Sequence, residues 1–130
     1  MRHVFPVLTA AASTFVIGGL WYSPLFFQKS WMAANGLTHE DLQKHGTGRI
    51  FAFSFVFAVV MAYNLAMFLD APETSTAWGA SAGLLAAIWV ALGIATVALF
   101  ERRSWRYILI NGGYWIVSFV VMGAIIGAWR

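Results

Sequence analysis

The residue types that can do chemistry are sparse in this 130-residue chain and fall in a few places. The densest is Gly18-Gly19-Leu20-Trp21-Tyr22-Ser23-Pro24, followed by Leu25-Phe26-Phe27 and then Lys29-Ser30-Trp31-Met32. Pro24 has no backbone N–H and clashes with the turn before it, so a helix arriving here must end or kink near Trp21 to Ser23. The carbonyls freed by that break need partners, and two outcomes follow: they line a polar cavity, or the segment is a helix terminus with aromatic anchors at a membrane surface.

Asn64 and Asn111 stand inside long apolar stretches. An amide both donates and accepts, which suits a solute-selecting site or a clamp between helices. Asn111, Trp115, Ser118 and Met122 share one helical face, which is expected to point toward protein. The clamp reading contributes on the order of 1 kcal/mol per interhelical hydrogen bond. Glu101, Arg102 and Arg103 form the third group, where pairing of Glu101 with Arg102, Arg103 or Arg106 accounts for the carboxylate.

Asp41 and His45 lie one helical turn apart with His39 and Glu40 close by, but His39 and His45 do not share a face. A solvated amphipathic helix explains these residues, and no metal site is assigned. The absence of cysteine excludes disulfides, thiol catalysis and Cys-ligated zinc. No Ser-His-acid set, phosphate-cradling glycine loop or intramembrane catalytic carboxylate is present in the sequence pattern. No catalytic residue and no cofactor are therefore assigned, and an enzyme acting on lipid ranks behind non-enzymatic readings.

The elements that must position these groups follow from composition. Hydrophobic residues make up 61% of the chain and charged ones 10%, with mean hydropathy +0.74. The intervals from Arg49 to Asp70, Glu73 to Glu101 and Arg106 to Arg130 enclose no charge. A run of about 20 apolar residues crosses a hydrocarbon layer roughly 30 Å thick as a helix. Spans are expected over residues 4–22, 50–69, 78–100 and 107–129, in one membrane domain covering residues 1–130. Barrel strands would be shorter and alternating, which these are not. The fold class expected is an all-α membrane protein: a four-transmembrane-helix bundle with a short interfacial helical segment between helices 1 and 2. Arg2 and the small residues Ala10 to Ala12 resemble a signal peptide, but the apolar run continues through Tyr22.

The polar connection over residues 28–48 is expected to hold a short interfacial helix, a break at Asn35-Gly36 and a second helix started by Thr38-His39-Glu40-Asp41. Pro72 opposes helix continuation, Thr74 or Ser75 can cap the third span, and Ser104 can cap the fourth. Both of these connections are short enough to predict antiparallel neighbours. Lys29, Lys44, Arg49, Arg102, Arg103 and Arg106 flank one side of the membrane, against Arg2 and Arg130 on the other, six to two. The positive-inside bias then puts the connection and the basic turn in the cytoplasm and both termini outside, with a bacterial inner membrane as the expected setting. The scattered basic residues give a net charge of +3 without a groove for nucleic acid.

Gly79 and Gly83 are four apart, as are Gly123 and Gly127, and Gly93 extends the small face of the third span; such spacing lets backbones approach, within one chain or between chains. Four spans make a thin bundle, so a homo-oligomer is expected, with the lipid bilayer as the other partner. Gly18-Gly19-Leu20-Trp21 and Gly112-Gly113-Tyr114-Trp115 share a Gly-Gly-x-Trp pattern, which in this composition arises readily by chance.

Gly19-Leu20-Trp21-Tyr22-Ser23-Pro24-Leu25-Phe26-Phe27 with Trp31-Met32, then Gly36-Leu37-Thr38, and Phe100-Glu101-Arg102-Arg103-Ser104-Trp105 leading into Asn111-Gly112-Gly113-Tyr114, resemble the DUF1761 family along most of the chain. The resemblance implies a small membrane protein and supplies neither an activity nor a catalytic residue. Two functions remain in competition: a permeation or transport protein with Trp21 to Pro24, Asn64 and Asn111 around an oligomeric pathway, and a non-catalytic membrane subunit or scaffold that meets a partner through Arg102 and Arg103.

Overall fold

A computed structural model describes residues 4–38, 40, 47–71 and 73–129. Their secondary structure is helical, with no strand among the described residues: α1 is Val4–Trp21, α2 Gln28–Asn35, α3 Thr47–Phe68, α4 Thr76–Phe100 and α5 Trp105–Ala128. Four of the helices, all but α2, are long and apolar enough to cross a membrane, and the chain is an integral membrane protein by this criterion. In lipid every backbone N–H and C=O must find a partner within the protein, and helices of 18 to 25 residues satisfy nearly all of theirs internally.

The ends are closed locally. Ser75 and Ser104 cap α4 and α5, their hydroxyls accepting from the backbone N–H groups of Trp78 at 3.1 Å and Tyr107 at 3.2 Å. Thr74 instead donates its hydroxyl to the Leu69 carbonyl at 2.7 Å, folding the α3–α4 connection on itself. The break after Asn35 is a left-handed Gly36 at φ 66° whose successor Leu37 bonds back to Met32. The same closure ends α4, where Arg103 bonds back to Ala98 and Arg102 to Leu99. There the left-handed position is held by Arg102 at φ 64°, a conformation that costs a non-glycine residue about 1 kcal/mol or more. The second short helix and the His39, Asp41 and His45 group lie outside the described residues.

α5 is the hub. It runs against α4 along their length, against α1 on another side, and less extensively against α2 and α3. The reason is the small residues. A Cβ on Gly79 would collide with the Gly123 carbonyl, one on Gly123 with the Gly79 carbonyl, one on Gly83 with the Phe119 carbonyl, and one on Gly127 with the Ser75 carbonyl. Gly112 continues the seam against Ala91 at 3.5 Å. The two Gly-xxx-Gly faces thus meet inside one chain, which resolves the choice left open by spacing alone. Lipid tails are as apolar as these side chains, so the seam is held by dense van der Waals contact between backbones and not by hydrophobic burial. Gly93 departs from expectation: a Cβ on it would meet no other element within 4 Å, so it is outside the seam.

A second expectation is corrected. α3 and α4 are consecutive yet are not the close pair that a short connection predicts; α3 packs chiefly on α1. The two meet near their junction through the Phe68 and Trp78 rings, 6.3 Å apart, after which α4 follows the glycine face of α5.

The bundle closes at one end only. Val7 and Ala10 of α1, Ala62, Leu65 and Ala66 of α3 with the adjoining Leu69, and Phe119, Met122 and Ile126 of α5 form a buried core. These come from the N-terminal half of α1 and the C-terminal halves of α3 and α5, the end away from the basic turn at residues 101–106.

The seam predicts an asymmetry between glycines. Gly123→Ala should lower the stability of the purified protein to thermal unfolding by about 1–3 kcal/mol, the usual cost of overpacking. Gly93→Ala should leave it unchanged or raise it by up to about 1 kcal/mol through helix propensity. Equal effects of the two substitutions would contradict the seam.

Candidate functional site

Where α1 reaches Pro24 the Leu20 and Trp21 carbonyls are taken up at once. Ser23 donates both its N–H and its hydroxyl to the Leu20 carbonyl, the latter at 2.6 Å, and Phe27 N–H donates to Trp21 at 3.0 Å. The turn thus consumes the Leu20 and Trp21 carbonyls locally. What the break does is swing the chain from α1 into α2, so that the rings of Trp21, Tyr22 and Trp31 gather over the start of α5.

Two long-range hydrogen bonds fix that gathering. Trp21 Nε1 donates to the Ile110 carbonyl at 2.8 Å, and the Tyr22 hydroxyl donates to Asn111 Oδ1 at 2.7 Å. Asn111 Nδ2 meanwhile donates to the Tyr107 carbonyl at 3.1 Å, which orients the amide with its oxygen toward Tyr22. One turn further into the bundle, the Tyr114 hydroxyl donates to the Thr14 carbonyl at 2.8 Å. The glycines make room: Tyr114 lies 3.4 Å from where a Cβ on Gly18 would be, and Trp21 Cζ2 2.9 Å from one on Gly113. The two Gly-Gly-x-Trp segments noted in the sequence are thus packed against each other, with one glycine of each, Gly18 and Gly113, facing an aromatic ring of the other segment. Tyr22 stacks further on Trp31 and Tyr114, at 5.3 and 5.5 Å between ring centres.

Beneath this aromatic cluster lies a half-open cleft of about 710 Å³. One wall is Thr14, Phe15, Gly18 and Gly19 of α1, another is Ile50, Ser54, Ala58 and Met61 of α3, and the third is Asn111, Tyr114 and Trp115 of α5, with Tyr22 and Trp31 at its end. The cleft is the other half of the bundle from the buried core, so it is blind at its inner end. No charged side chain lines it among the described residues. Its polar groups are hydroxyls, one amide and the indole N–H groups of Trp31 and Trp115, and the rest is aromatic or aliphatic, a lining suited to an uncharged molecule with an apolar body.

The sequence candidates divide. Trp21, Tyr22 and Asn111 come together around the cleft. Ser23 and Pro24 shape the turn behind it, and Pro24 is exposed. Ser118 is fully buried one turn past Tyr114, and its Oγ has no hydrogen-bond partner among the described residues. Asn64 does not join Asn111: it is exposed on the outside of α3, because α3 turns a different face to the bundle. Glu101, Arg102 and Arg103 stand apart from the cleft, in a broad open groove of about 920 Å³ shared with Ala33, Ala34, Ser104 and Arg106. There Arg103 Nε is 3.7 Å from Glu101 Oε1, and its guanidinium lies 5.1 Å over the Tyr107 ring. No group of three metal-ligating side chains occurs among the described residues.

Sequence reasoning missed Thr14, Ser54 and Tyr114. Short hydroxyl residues in apolar helices carry no signal of their own, since most bond to their own helix, as Thr14 does to the Ala11 carbonyl at 2.7 Å. Tyr114 had a usable signal in the glycine pair before it.

A family model described as "Protein of unknown function (DUF1761)" matches residues 5–127, and the chain belongs to that family. No curated protein and no solved structure matches it.

The Tyr22–Asn111 bond should register as a coupled pair. In a double-mutant cycle with Tyr22→Phe and Asn111→Leu, thermal unfolding is expected to give a coupling of about 1 kcal/mol. Strict additivity of the two substitutions would show that the bond does not join α1 to α5.

Proposed function

We propose that the chain is a small transport or permeation protein whose solute site is the cleft between α1, α3 and α5. The observation that carries this reading is the cleft itself: about 710 Å³, lined by hydroxyl, amide and aromatic groups, open at one end of the bundle and sealed at the other. A sealed inner end means that one chain has no continuous pore. Passage then requires the cleft to close at its mouth and open past the core, with α3 moving against α5, the two cleft walls in least contact with each other. Lys29, Arg49, Arg102, Arg103 and Arg106 lie toward the open end, and the positive-inside bias supports a cytoplasmic mouth with both termini outside. The lining favours an uncharged solute that is mostly apolar and carries at least one hydrogen-bonding group.

The groove at Arg102, Arg103 and Arg106 supports a second reading, a membrane subunit that docks a partner there. That reading predicts loss of a co-purifying protein when Arg102 and Arg103 are both replaced by Ala.

Reconstituted protein should accelerate entry of some neutral amphipathic solutes from a broad panel into liposomes, and Ser54→Phe, which fills the cleft, should reduce the rate about tenfold or more while leaving the thermal transition in place. Absence of flux across the panel, or flux indifferent to Ser54→Phe, would overturn the transport reading.

A further inference from the structure

A polar side chain facing lipid has no water to bond, so it either bonds to its own helix or seeks a neighbour. Two outward-facing hydroxyls on α4 take the first course: Ser81 donates to the Ala77 carbonyl at 2.9 Å and Thr96 to the Leu92 carbonyl at 2.8 Å. Two asparagines do the same through Nδ2, Asn35 to Trp31 at 2.9 Å and Asn111 to Tyr107 at 3.1 Å. Asn64 is different. It is exposed on α3, and its amide makes no hydrogen bond to any described residue, its own helix included.

Asn64 stands four residues before the end of α3 at Phe68, about 6 Å inside the helix end at 1.5 Å per residue. It belongs to a row of exposed side chains, Phe53, Phe57, Val60, Asn64 and Met67, spaced alternately by four and three. That is the spacing of a helix–helix seam with one amide set among apolar knobs. The outward face of α4 has the same spacing at Leu85, Trp89, Leu92 and Thr96, but its polar member is satisfied internally. The Gly-xxx-Gly faces, the other candidates for association, are consumed by the contact between α4 and α5.

We propose that the row on α3 is a homodimer interface in which Asn64 bonds to Asn64 of a second copy. A carboxamide is its own complement, since its N–H and C=O can pair with the C=O and N–H of an identical group. Copies inserted with the same orientation present parallel α3 helices, and a two-fold axis along the membrane normal sets each residue of the row against its counterpart. The second copy is thus the occupant that the chemistry of Asn64 specifies, whereas a lipid tail leaves the amide unpaired. Phe57 belongs both to this row and to the cleft lining, so the interface runs along the lip of the cleft.

The chain has no cysteine, which makes the test direct. In native membranes, Val60→Cys should form a disulfide-linked dimer on mild oxidation, and Leu85→Cys on the outer face of α4 should not. Adding Asn64→Leu to Val60→Cys should lower cross-linking, and dimerisation of the otherwise unaltered Asn64→Leu protein measured by energy transfer in liposomes should weaken about fivefold or more. Asn64→Leu removes a polar group from lipid and should not unfold the protein, which the thermal transition checks. A monomer at all lipid dilutions, dimers through Leu85→Cys in place of Val60→Cys, or dimerisation indifferent to Asn64→Leu would each overturn the interface.

Discussion

Everything in this bundle is arranged around the backbone contact between α4 and α5. Hydrophobic burial cannot hold helices together in a solvent as apolar as their side chains, so the closest approach must come from surfaces that have almost no side chains. Gly79, Gly83, Gly123 and Gly127 provide that approach, each occupying space that a Cβ would deny to the opposite backbone. With α4 committed to one face of α5, the remaining faces of α5 are left for α1, α2 and α3, and its aromatic and amide side chains turn toward them.

The second consequence is the cleft. α1 and α3 close on α5 at one end through small and aliphatic residues, where Ala10, Ala62 and Ala66 permit tight packing. At the other end the facing residues are Phe15, Phe51, Tyr114 and Trp115, too large to interdigitate at the same distance, and the helices part. The turn at Pro24 then carries α2 back over the opening. The Leu20 and Trp21 carbonyls are spent within the turn, and the side chains of Trp21 and Tyr22 make the bonds to α5. The polar side chains that line the cleft include the Tyr22, Ser54 and Tyr114 hydroxyls and the Asn111 amide.

The helices were legible because four charge-free runs in so apolar a chain admit few structures, and the Ser75 and Ser104 caps follow from the residue types at the breaks. The glycine spacing was equally visible, but spacing does not say which faces meet. Asn64 and Asn111 mark the limit most clearly. In the sequence they are the same residue in similar surroundings, yet Asn111 is held beside Tyr22 in the cleft and Asn64 faces outward, a difference set by how α3 is rotated against α1. The pairing of α3 with α4 was misread for a related reason: a short connection constrains helix ends, whereas the glycine seam decides the partner along the remaining length. Thr14 and Ser54 were invisible because a small hydroxyl acquires meaning only from what surrounds it.

The bundle is sealed at one end and open at the other, and thiol accessibility tests this most directly in a chain without cysteine. Protein carrying Ser54→Cys in oriented membrane vesicles should react with a water-soluble maleimide added on the side of the basic turn and be inert to reagent on the opposite side. Ala62→Cys, in the sealed core, should resist from both sides. Labelling of Ala62→Cys as fast as Ser54→Cys, or of Ser54→Cys from the opposite side alone, would contradict the account.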